Sequence, residues 1–127
     1  MSEMKPGRTM DAAVARVLGY QVSDDGRHAL IDGLWEELGE FGQLEDPGWT
    51  PSQRDADALA ALYAFLAQHP EYCVDIASLN DKTGVVGWTC WFTWHEDRKL
   101  CVERHAKTVA EAICLAILAL AEKEAVR

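Results

Sequence analysis

A thirteen-residue run near the end of the chain, Val109 to Ala121, contains one polar side chain, Glu111. Thr108-Val109-Ala110-Glu111 opens it as a capping box, so the run reads as a helix reaching about Glu124. Ile113, Leu115, Ile117, Leu118 and Leu120, with alanines and Cys114 between them, leave almost no polar face before Glu122. Such a helix must be covered on more than one side. Two arrangements would do this. Other helices of the same chain can flank it, or a two-fold homodimer can bury the stripe Val109, Ile113, Ile117 and Leu120. The run is shorter than the roughly 20 residues that a membrane span requires, so no membrane association is expected.

A sheet for this helix to lie on is written just ahead of it. Val85 to Trp94 alternates, with Val86, Trp88, Cys90, Phe92 and Trp94 on the face assigned to the core. Val85, Gly87, Thr89, Trp91 and Thr93 occupy the other face. Tyr72 to Leu79 and Lys99 to Arg104 flank this strand across short turns, Asn80 to Gly84 and His95 to Arg98, which makes an antiparallel meander.

The first half reads less sharply. Thr9 to Leu18 has a helical apolar stripe, a cap at Thr9, Asp11 in the first turn, and Gly19 to end it. Asp25-Gly26 marks a hairpin turn between two weak strands, Tyr20 to Val22 and Arg27 to Ile31. Leu34, Trp35, Leu38 and Phe41 are spaced for a short acidic helix over Asp32 to Phe41. Residues 42–50 read as a loop. Ser52-Gln53-Arg54-Asp55 resembles a capping box for a helix from Gln53 to Gln68, with Leu59, Leu62, Tyr63, Phe65 and Leu66 on its apolar face. Five tryptophans among 127 residues argue against disorder. A single domain over residues 1–127 is expected, with only residues 1–8 disordered.

Charge and cysteines narrow the classes of function. Of the net −9, a charge of −7 lies between Asp32 and Asp57, where eight acids face one base, Arg54. A surface of that sign repels nucleic acid and anionic membranes and suits a protein partner with a basic surface. Glu36, Glu37, Glu40, Glu45 and Asp46, together with Trp49 and Trp91, are the candidate partner-binding residues. Trp91 qualifies if its face of the sheet is open, with Arg104 or Lys99 beside it. No apolar leader opens the chain, so a cytoplasmic location is expected, with Cys73, Cys90, Cys101 and Cys114 as free thiols. Cys101-x-x-x-His105 is the one spacing that resembles a metal motif, and no metal or other cofactor is expected from it.

No catalytic constellation is legible. The four histidines make no i, i+3 or i, i+4 pair with an acid on an expected helix, and His95-Glu96-Asp97 reads as a solvated turn. Gly-x-Ser-x-Gly and phosphate-binding glycine loops are both missing. An enzyme is therefore not expected.

The order of elements carries a resemblance. Leu18-Gly19-Tyr20 at a helix end, Pro51-Ser52-Gln53-Arg54-Asp55 opening a helix, a strand meander, and Ala112-Ile113-Cys114-Leu115-Ala116 in the last helix are similar to the phage ABA sandwich domain. The elements themselves make an α+β fold, and the resemblance implies a three-layer helix–sheet–helix sandwich and a phage or prophage origin. It supplies no catalytic residues. Two readings follow. One is an accessory protein that binds a host or viral protein, with the acids in the sharpest version imitating nucleic-acid phosphate. The other is a small-molecule binder or small enzyme with a pocket between residues 32–50 and the sheet.

Overall fold

The computed structural model describes residues 4–39 and 48–125. Among the described residues it is an α+β fold of three helices and two antiparallel sheets. The element order is α1 (Arg8–Val17), β1 (His28–Ile31), β2 (Leu34–Glu37), α2 (Asp55–Gln68), β3 (Tyr72–Asp81), β4 (Gly84–Trp94), β5 (Leu100–Ala106) and α3 (Val109–Ala125). β3, β4 and β5 form the expected meander in that order, and β1 pairs with β2 in a separate ribbon.

α3 is the hub. It packs on β4 and β5, and it also contacts α2 and α1. Its first turn is capped as expected, with the Glu111 amide donating to Thr108 Oγ1 at 3.1 Å. Ile113, Ile117 and Leu120 are fully buried within the one chain, and Val109 packs against the same core. Ile113, Ile117 and Leu120 therefore have no surface left to offer a second copy, with α1, α2 and the sheet packed around α3. No helix among the described residues is long and apolar enough to cross a membrane.

The meander keeps the expected core face only in part: Trp88 and Trp94 are half-buried, while Thr89 and Thr93 on the opposite face are buried as well. Cys90 and Phe92 are fully buried, and the Phe92 ring lies 5.5 Å from Phe65 of α2. Towards its start β4 runs past its cover, and Val86 is exposed rather than core. On α2 the buried residues are Ala58, Ala61, Leu62 and Phe65, so the expected face is rotated and Leu59 and Tyr63 point outward. The alanines explain the rotation, since small side chains allow α2 to approach α3 closely.

Three local expectations are corrected. Residues 32–37 are not helical: Asp32 (φ 52°) and Gly33 (φ 84°) form the tight turn between β1 and β2. Two consecutive positive φ angles are the mark of a type I′ hairpin turn, for which Asp-Gly is a preferred pair. The caps assigned to Thr9 and Ser52 are not made either. Ser52 Oγ instead accepts from the Gly7 amide at 2.9 Å, which ties the start of α1 to the segment ahead of α2. Asp11 turns inward as well. It is fully buried, accepting from Thr50 Oγ1 and the Ser52 amide, both at 2.8 Å.

All four cysteines are free. Burial, with the nearby Asp75 charge, pushes the Cys90 thiol up to about 12, and burial likewise raises Cys114. Since the thiolate is the reactive form, alkylation of native protein at pH 8 is expected to start at half-buried Cys73. Cys90 and Cys114 should react only in denaturant. Peptide mass spectrometry after timed alkylation checks this order, and early adducts on Cys90 would contradict the packing of α3 on β4.

Candidate functional site

The acidic segment divides into a structural part and an exposed part. Asp57 belongs to the first: its Oδ2 accepts from the Thr50 amide at 2.9 Å and lies 3.4 Å from Arg54. The exposed part is the tip of the β1–β2 ribbon, with Asp32, together with Asp55 at the start of α2. Leu34 and Trp35, directly after the Asp32-Gly33 turn, are 65% and 51% exposed. Neighbouring strand residues point to opposite faces, so these two wrap the tip of the ribbon in apolar surface. Glu36 and Glu37 follow in register opposite Ala29 and His28, and Glu37 lies 3.8 Å from Arg8. Glu40, Glu45 and Asp46 lie outside the described residues, as does much of the segment expected to wall a pocket against the sheet.

Trp49 is not a surface contact. It is buried, meets Tyr20 edge-on at 5.9 Å, and donates its amide to the Glu37 carbonyl at 2.8 Å. Gly48 makes this closure workable, since a Cβ there would sit 2.2 Å from the Glu37 carbonyl oxygen. Trp91 is half-buried, and the register sets it between Asp75 and Glu103 rather than beside Arg104 or Lys99. Arg104 is opposite Cys90, on the face that α3 covers. The tryptophan therefore sits between acids, not bases.

Sequence reasoning missed two arrays. On β4 and β5, Thr89 Oγ1 bonds to His105 Nδ1, and His105 Nε2 lies 3.1 Å from Glu103. The order hydroxyl, imidazole, carboxylate is that of a nucleophile relay, but Thr89 is buried and offers a substrate no open hydroxyl. The array also accounts for His105, which is thereby separated from Cys101 in any metal role. Four residues along a strand span about 13 Å, too far for two ligands of one ion.

The second array lies where the C-terminus of α2, the start of β3 and the end of α3 meet. His69 Nδ1 lies 3.4 Å from Glu71 Oε1 and 3.8 Å from Glu124 Oε1. Each member is held. The His69 ring stacks on Phe65 at 4.5 Å, Tyr72 Oη donates to Glu124 Oε1 at 2.5 Å, and the Glu71 carbonyl accepts from the His95 amide at 2.8 Å. Glu71 also lines a cleft of about 560 Å³ with Pro70, Trp94, His95, Glu96 and Asp97. His95, Glu96 and Asp97 form an exposed turn, as expected, and that turn makes one wall of the cleft. His69-Pro70-Glu71 is visible in the sequence, but its distant member Glu124 is not marked by any local motif.

Comparison with protein-family models, with curated proteins and with solved structures returned no match.

Proposed function

We propose that the protein is a non-enzymatic accessory protein of a phage or prophage, acting in the host cytoplasm by binding a host or viral protein with a basic surface. The observation that carries this reading is the exposed Leu34–Trp35 tip inside the most acidic part of the chain. Large apolar side chains left open to water mark binding surfaces, and tryptophan is prominent among interface hot spots. The surrounding carboxylates select a positively charged partner and speed its approach. Trp91 between Asp75 and Glu103 is a second point of the same character on the sheet. The phage origin rests on the resemblance of the Leu18-Gly19-Tyr20 and Ala112 to Ala116 segments.

A photo-crosslinking residue placed at position 35, with a control at exposed Tyr63 of α2, tests the reading in a host lysate. Position 35 is expected to give a discrete adduct to a basic protein that fades as salt screens the attraction. Equal adducts from position 63, or none from position 35, would overturn it.

A further inference from the structure

We infer that His69, Glu71 and Glu124 form a binding site for a divalent cation of the zinc class, a function separate from the ribbon. Three observations carry it. The first is distance. In a charge-assisted hydrogen bond the nitrogen and oxygen lie about 2.7–2.9 Å apart. The His69 Nδ1 separations, 3.4 Å to Glu71 and 3.8 Å to Glu124, are too long for that. Tetrahedral ligands at about 2.0–2.2 Å from zinc are themselves about 3.4 Å apart, the His69–Glu71 spacing, and Glu124 at 3.8 Å would close in by a few tenths of an ångström.

The second is charge. Two carboxylate oxygens approach one ring nitrogen, which can carry only one proton. The cluster thus brings two carboxylates to one imidazole, a donor set that a cation would complete. The three ligand atoms lie within 4.8 Å of one another. The third is support around the ligands. Tyr72 fixes the Glu124 carboxylate and Phe65 fixes the imidazole plane, as groups behind a metal site do. One imidazole with two carboxylates suits zinc or manganese better than calcium, which takes oxygen ligands alone. Glu71 is shared with the cleft wall, so the ion would sit at the edge of that cleft.

Isothermal titration of tag-free protein with zinc chloride, paired with thermal melts, is the test. One ion per chain is expected, with Tm raised by about 5–10 °C when zinc stands a hundredfold above Kd. Glu124→Gln keeps an oxygen for Tyr72 but loses the ligand charge, and it should weaken binding about tenfold or more, as should His69→Gln. His105→Ala, on β5 and outside the cluster, should bind within about twofold of wild type, since it removes no ligand. The inference is overturned if the wild type shows neither heat nor a Tm shift. It is equally overturned if Glu124→Gln and His69→Gln bind like the wild type, or if Cys73→Ser alone removes binding.

Discussion

Phe92→Ala is expected to destabilise the protein by about 3–5 kcal/mol, the largest effect of any single truncation in the sheet. Phe92 is fully buried at the middle of β4, opposite Val74 of β3 and Val102 of β5. Its ring touches the two parts of the core that the sheet must join, lying 5.5 Å from Phe65 of α2 and 6.3 Å from Tyr72. A hydrogen-bonded meander on one side and helices on the other leave the cavity little room to collapse. Urea denaturation should show a lowered midpoint with an unchanged slope, because the surface exposed on unfolding hardly alters. A midpoint within error of wild type would place Phe92 outside the core and reject the strand register.

Asp11→Ala is the second large effect, about 3 kcal/mol, for a different reason. The Asp11 carboxylate is the acceptor for Thr50 Oγ1 and the Ser52 amide, and all of these groups are buried. Removing it strands two donors away from water, and hydrogen bonds to charged groups contribute about 1.5–3 kcal/mol each. The charge itself is a burden. Burial raises the Asp11 pKa above its ordinary value of 3.8, while the bonds from Ser52 and Thr50 pull it partly back.

The sign of the pH effect follows from that raised value. Stability contributed by a group with a raised folded pKa is fully present below the unfolded value and lost as pH rises through the folded one. Asp11→Asn keeps the shape and never ionises. Wild type should therefore gain stability relative to Asp11→Asn as pH falls from 7 towards 4. Melts of both proteins across that range check it. A gap that moves the other way would mean that the bonds from Thr50 and Ser52 outweigh burial.

What was legible in the sequence was what local pattern alone decides. The alternation through Cys90 and Phe92 and the all-apolar helix after Thr108 dictate a meander with a helix upon it, and both are present. The β1–β2 ribbon reads as a helix because Leu34, Trp35 and Leu38 have helical spacing, which masks the Asp32-Gly33 turn signal. Its aromatic tip is solvent-exposed, so there was no buried face to give a strand period. The α2 face was misread because alanine, not the larger residues, marks its contact with α3.

The polar sites were hidden for a further reason. Asp11 meets Thr50 and Ser52, and Glu124 meets His69, across long stretches of chain. No spacing rule links such partners, and only the docking of α1 and α3 brings them together. The acids followed the same division. Asp57 has the composition of a surface charge but is drawn inward by the Thr50 amide, whereas Asp55 two residues before it stays exposed, as does the ribbon tip.

The most direct measurement of the central claim is the affinity of a crosslinked partner, once purified, for wild type and for Trp35→Ala at low and high salt. Trp35 is 51% exposed, so its loss should leave the melting temperature nearly unchanged. The account predicts at least a thirtyfold weaker complex, about 2 kcal/mol, as for a hot-spot tryptophan. It also predicts that wild-type binding weakens steeply with salt. Binding of Trp35→Ala within twofold of wild type, with no salt dependence in either protein, would contradict it.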